Sequence, residues 1–287
     1  MVFFLIHMIP GDPVDIMLGE SARIEDREAL RADLHLNDSI TIQYARFMKG
    51  FVRGDLGNSL HTRRPVFGAV IERFPATLEL AVAAIAAALS MALPLGILSA
   101  VKRGTALDRG SLLFALIGVS IPNFWFGPLL ILLFSIKLGV FPVSGRGGIG
   151  HLILPAVTLG LAMSAILARM IRSSLLDVIR KEFVLAARAK GLARPVVILK
   201  HAFRNALIPV VTVVGLQASS LLGGAIITET IFAWPGIGRL TMQAIAERDY
   251  PLVQGCVLLI ALATVVINLL TDLLYGVVDP RIRHAPR

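Results

Sequence analysis

Cysteine is all but absent from this chain: Cys256 stands alone, so no internal disulfide and no CxxC metal pair can form, and a stapled secreted fold or a zinc site is excluded. Charge is scarce as well, at 16% of residues against the ~25% usual for soluble domains. No G-x-x-x-x-G-K-S/T sequence occurs, so the chain has no P-loop to cradle ATP. GRGGIG at Gly145 to Gly150 fits G-x-G-x-x-G in form only. A dinucleotide site needs a strand before it and an acid about 20 residues on, and here a flexible turn between two apolar runs is expected. The histidines at 7, 35, 61, 151, 201 and 284 show no metal-ligand spacing and no H-E-x-x-H. There is no G-x-S-x-G elbow either. No catalytic, metal-ligating or cofactor-binding residue is therefore expected.

What the chain does have is apolar length. Apolar residues make up 56% of it and mean hydropathy is +0.77. They gather in five runs, Pro75 to Val101, Ser111 to Ile136, Leu152 to Ile171, Ala206 to Thr228 and Leu252 to Val278. Each is about long enough to cross a bilayer, which takes roughly 20 helical residues. The fold expected is all-α, a polytopic transmembrane helical bundle. Pro94, Pro122, Pro128 and Pro155 fall in or near the runs, where neighbouring helices or water can satisfy the freed backbone groups. Met1 to Ile9 is apolar but stops at Pro10-Gly11-Asp12-Pro13. It reads as the far half of a truncated first span, and no basic residue precedes it as a signal peptide would require.

The net charge of +9 could suggest nucleic acid, and its placement argues otherwise. The link 172–205 holds eight Lys/Arg against Asp177 and Glu182, and Lys102, Arg103 and Arg109 face only Asp108. Arg281, Arg283 and Arg287 face Asp279. If every run crosses once, these segments share one side, and the positive-inside rule makes it cytoplasmic. The expected organisation is a partial first helix at 1–9, an external helical segment at 10–74, a core at 75–278 that includes the cytoplasmic link 172–205, and a cytoplasmic tail at 279–287. Helix-like patches at Arg23 to Asp33 and Ile40 to Phe51 mark short external helices. Two acids lie in or at the edge of runs, Glu79 and Asp272, the latter beside Asn268 and Thr271. Such acids are functional candidates by default, although each can instead snorkel or pair with an interfacial base.

Between the third and fourth complete runs lies EFVLAARAKGL, Glu182 to Leu192. An acid opens it, Arg188 and Lys190 close it and Gly191 follows, the order of a short capped helix. Ala186, Ala187 and Ala189 are expected to leave one face nearly flat, able to press into a groove on a partner. Pro195 suits the first turn of a second short helix leading into the next span. On local features alone this remains an ordinary surface helix.

ARAKGL at 187–192 with HAFRNALIPVV at 201–211 resembles the cytoplasmic signature of the membrane permeases of ATP-binding-cassette importers, in the dipeptide, oligopeptide and nickel branch. HMIPGDP (7–13), GDLGNS (54–59), FPATLEL (74–80), SIPNFW (120–125), ETIFAWPGIGR (229–239), RDYP (248–251) and DPRIR (279–283) match in the family's order. Leu185 stands where the general signature has Glu. The resemblance implies a type I importer-like permease in a bacterial cytoplasmic membrane, with five complete spans plus the end of the first. It implies a second homologous permease subunit in a heterodimer, two cytoplasmic ATP-binding subunits and an external substrate-binding protein. By the same resemblance Glu182, Ala186, Ala187, Arg188, Lys190 and Gly191 form the helix that couples to the ATPase. The cargo expected is a dipeptide or oligopeptide, with nickel chelate or glutathione as alternatives. An ion-coupled secondary transporter would show paired broken helices or several intramembrane charges, which the sequence does not clearly offer. A membrane enzyme has no visible chemistry.

Overall fold

The structure is a computed structural model that describes residues 3–4, 13–18 and 23–278, the side chains of 16, 224 and 274–278 excepted. The HMIPGDP segment up to Asp12, the DPRIR segment and the tail 279–287 lie outside the described residues. So does most of the expected partial first span, apart from Phe3 and Phe4, whose rings lie 5.3 Å from that of Tyr44.

Among the described residues the chain is helical, with one isolated bridge between Asn58 and Pro65. Three short helices come first, α1 (Pro13–Leu18), α2 (Ile24–Asp33) and α3 (Ile40–Val52). Then follow α4 (Val66–Val101), α5 (Ala106–Ser120), α6 (Asn123–Leu130, widening into a π-type coil over Ile131–Lys137) and α7 (Ile149–Ile179). The chain continues through α8 (Glu182–Ala189), α9 (Arg194–Val196, extended by a π-type coil over Val197–Ala202), α10 (Phe203–Ile231), α11 (Ile237–Ala246) and α12 (Tyr250–Val278).

Four stretches, α4, α7, α9 with α10, and α12, are long and apolar enough to cross a bilayer. The expected run Ser111 to Ile136 is not one straight span. Pro122 drives Ile121 into an extended conformation (φ −83°, ψ 119°), which ends α5, and α6 leaves at a bend of 105°. The bent pair still carries the chain from one end of the bundle to the other. At its start Asp108 pairs with Arg172 near the end of α7, and just beyond it the Gly145 amide donates to the Phe232 carbonyl at the opposite end. It therefore counts as one crossing, and the number of complete crossings is five. The observed helices also overrun the apolar runs. α4 starts at Val66 and α7 continues to Ile179, because helical backbone outlasts the apolar stretch into residues such as Glu72 and Arg172.

The core sits between α4 and α7. Ala76, Leu80, Ala84, Ala88, Ala92 and Gly96 recur every four residues on α4 and are all buried. Small side chains at that spacing let two backbones approach closely, which is how helices associate where lipid offers no hydrophobic driving force. On the facing helix, a Cβ at Gly160 would stand 2.8 Å from the Ala84 carbonyl oxygen. Leu159, Met163, Leu167 and Ile171 fill the rest of the seam. Large apolar side chains left exposed on α5, α6 and α12, such as Leu116, Leu133 and Leu270, suit contact with acyl chains.

Candidate functional site: an exposed helix at the basic end

α7 stops at Ile179, and Lys181 turns extended (φ −75°, ψ 150°), so α8 starts as a separate helix rather than a continuation. Glu182 occupies its first turn and Arg188 its last, each charge complementing the helix dipole. At the far end the Lys190 amide donates to the Ala186 carbonyl and the Gly191 amide to that of Arg188. Gly191 sits at φ +76°, the left-handed conformation that closes a helix and that glycine adopts without a steric cost. A Cβ there would meet nothing within 4 Å, so within this chain the constraint is purely conformational.

The helix is pinned by one side. Val184 and Ala187, three residues apart, are buried among Ala100, Leu175, Val178, Val197, Ile198 and Ala202. Glu182, Ala186, Arg188, Lys190 and Gly191 are exposed, and so are Phe183, Leu185 and Leu192. This corrects the expectation of one flat face made by three alanines. Ala187 turns inward as an anchor, and the small outward positions are Ala186 and Ala189. Leu185, 52% exposed, adds an apolar knob beside them. Pro195 stands in the first turn of α9, as expected.

The floor of this end is an ion pair between a buried acid and a part-exposed base, Asp108 and Arg172, which in the sequence serve only to orient the chain. Arg172 donates from Nε to Asp108 Oδ1 at 2.7 Å and from Nη2 to Oδ2 at 3.0 Å. The Ser99 hydroxyl donates to Oδ1 as well, and the Gly104 amide to Oδ2 at 2.9 Å. The bidentate pair ties α4, α5 and α7 together beneath α8. An acid alone among three bases in a short link was the available signal.

At the opposite end, motifs far apart in sequence meet. Thr77 of FPATLEL donates its hydroxyl to Glu229 Oε1 of ETIFAWPGIGR at 2.7 Å and accepts from the Ile237 amide at 2.8 Å. The Arg239 amide donates to Glu229 Oε2 at 3.0 Å, and the indole N–H of Trp234 to the Ala76 carbonyl at 2.8 Å. Glu229 and Trp234 are fully buried. A Cβ at Gly236 would stand only 2.2 Å from Glu229 Oε1, which explains why a glycine opens α11. Asp249 of RDYP joins GDLGNS in the same way. It accepts from the Ser59 hydroxyl and, through Oδ1, from the Leu252 amide at 3.2 Å, capping α12. Glu79 takes the ordinary alternative for an acid at a span edge, accepting from Arg146 Nε at 2.9 Å in a part-exposed pair. The arginine also lies 5.9 Å over the Trp234 ring. GRGGIG runs from the loop after α6 into the first residues of α7, without a preceding strand. Among the described residues no three His, Cys, Asp or Glu gather as a metal site.

Residues 92–284 match the family described as binding-protein-dependent transport system inner membrane component, and residues 1–81 match its N-terminal part. This chain belongs to that family. It is 46% identical to the dipeptide transport system permease protein DppB of Escherichia coli K12, over 99% of this chain and 93% of that one. It is 44% identical to the di/tripeptide permease DppB of Pseudomonas aeruginosa and 43% identical to the glutathione permease GsiC of Pectobacterium atrosepticum, with the same coverage. Among solved structures, a chain of the MetNI methionine ABC transporter in an inward-facing conformation superposes with a TM-score of 0.62 at 20% identity. The match covers 73% of this chain and 96% of that one and shows a shared fold, while the family assignment places the chain among inner-membrane transport components.

Proposed function

We propose that this permease carries dipeptides or oligopeptides inward, with ATP hydrolysed by separate subunits that dock on α8. The observation that carries the proposal is the arrangement of α8: anchored by Val184 and Ala187, closed by a left-handed Gly191, and exposed along Glu182, Ala186, Arg188 and Lys190. A short helix fixed in that way passes a push from outside straight into α7 and α10. The basic end is then cytoplasmic, following the positive-inside rule, and residues 10–74 with 229–250 form the external surface that receives a substrate-binding protein. A second homologous permease completes the pathway, and two ATP-binding subunits each take one coupling helix. Peptide cargo follows from the DppB relatives. Glutathione is the second candidate, because the GsiC relative is 43% identical over nearly the whole chain.

The test is reconstitution of the permease with its partner permease, ATPase and binding proteins in proteoliposomes. Uptake of labelled dipeptide that needs ATP and the binding protein is the expected result. Uptake without ATP, driven by an ion gradient, would overturn the proposal, and a preference for glutathione over dipeptide would move the cargo to the second candidate.

A further inference from the structure

Asp272, Asn268 and Thr271 remain unaccounted for by the coupling helix and by the two polar clusters. α12 runs 29 residues and α10 another 29, and Ser219 and Asn268 both lie near the middle of their helices. Asp272 follows Asn268 by one turn, about 6 Å further toward the basic end at 1.5 Å per residue. The Ser219 hydroxyl crosses between the helices and donates to Asn268 Oδ1 at 2.6 Å. Neighbouring hydroxyls behave differently, since Ser220, Thr264 and Thr271 each donate to a carbonyl of their own helix. Ser219 thus orients the carboxamide and takes up its oxygen, leaving the NH2 group as the half that can meet a solute. The seam is tight here, since a Cβ at Gly215 would stand 2.0 Å from Thr271 Cγ2, so the two polar faces form one fixed surface.

Asn268 and Asp272 are nonetheless exposed, at a depth where an amide or a carboxylate facing lipid is costly. Polar groups at such depth face a protein or a water-filled cavity. On the exposed side of α10, Ser220 and Gly223 form a small gap less than one turn long between the exposed Leu216 and Ile227.

We propose that Ser219, Asn268 and Asp272 line the inner half of the solute pathway and select for cargo with a protonated amine and a neighbouring amide carbonyl. Asp272 meets the ammonium group and Asn268 NH2 donates to the carbonyl, the two groups that the first residue of every peptide with a free amino terminus presents on either side of its Cα. The proposal rests on the importer assignment above.

The experiment uses the complete reconstituted transporter in a Cys256→Ala background, with single Asn268→Cys, Asp272→Cys and, on the other side of α12, Leu270→Cys replacements. A charged, membrane-impermeant methanethiosulfonate reagent is added from the basic side. The first two cysteines are expected to react about tenfold faster than the third, because water reaches them and lipid covers Leu270. Their labelling should slow when ATP and cargo-loaded binding protein drive turnover. Asp272→Asn is expected to lower dipeptide uptake about tenfold while stimulated ATP hydrolysis persists. Equal, slow labelling at all three positions would overturn the proposal, placing the seam against lipid or against the second permease. Full dipeptide uptake by Asp272→Asn would overturn it too. If the unmodified complex fails to take up dipeptide, the importer assignment fails instead, and the labelling pattern still reports on the seam.

Discussion

Replacing Gly191 isolates the turn that closes α8 from everything else the helix does. At φ +76° a residue with a Cβ gives up about 1 to 2 kcal/mol, and more when it is β-branched. Because a Cβ at this position touches nothing within 4 Å, no clash inside the chain adds to that figure. The expected series is therefore conformational: Asn mildest, Ala intermediate, Val worst. A shift of about 1.4 kcal/mol against the closed helix end is a tenfold drop in the docking-competent population. Val184 and Ala187 still hold the first turns in their socket, so insertion and thermal stability should stay close to those of the unmodified protein. The assay is uptake and ATP hydrolysis measured together in proteoliposomes holding the whole transporter. Uptake per ATP should fall from Gly to Asn to Ala to Val, by about tenfold in all. Unchanged coupling in Gly191→Val would refute the coupling role of this turn, and an inverted order of Asn and Val would refute its conformational basis.

Other perturbations separate large from small effects. Asp108→Ala removes the buried acceptor of Arg172, Ser99 and the Gly104 amide, costing about 1 to 3 kcal/mol, and should appear as a drop in melting temperature in detergent. Gly236→Ala pushes a methyl into the Glu229 carboxylate and should loosen the opposite end by about 1 to 3 kcal/mol, read out as faster proteolysis between α10 and α12. Arg146→Ala, by contrast, removes a half-exposed pair with Glu79 and should cost under about 1 kcal/mol, within the scatter of the same melting assay.

Span number and position were legible because apolar length is written residue by residue, and the ends of the runs were wrong by up to nine residues only where helices continue through charged positions, as α4 does before Phe74. The break at Pro122 was visible as a proline, yet its consequence, a 105° bend, depends on how α6 packs against α7 and Phe232. The outline of α8 could be read from Glu182, Arg188 and Gly191 because caps and dipole are local. Which alanine faced inward could not, since Ala187 is selected by a socket assembled from α4, α7 and α9. The roles of Glu229 and Asp249 are hidden for the same reason. Their partners Thr77 and Ser59 lie 152 and 190 residues away, and no spacing rule reaches so far.

The alanine ladder of α4 also has a mechanical side. The helix is fastened at Thr77 to Glu229 and at Ser99 to Asp108, 22 residues apart, or about 33 Å of helix. Between those fastenings small residues bring it close to α7 at Gly96 and Gly160, and Leu159, Met163, Leu167 and Ile171 pack the rest of the seam. The pair thus acts as a strut: a tilt of about 5° imposed at the basic end displaces the opposite end by about 3 Å over that length. If α8 takes the push proposed for it, that strut is the element of this chain along which a stroke would travel from the basic end to the cluster of Thr77, Glu229 and Trp234 at the opposite end.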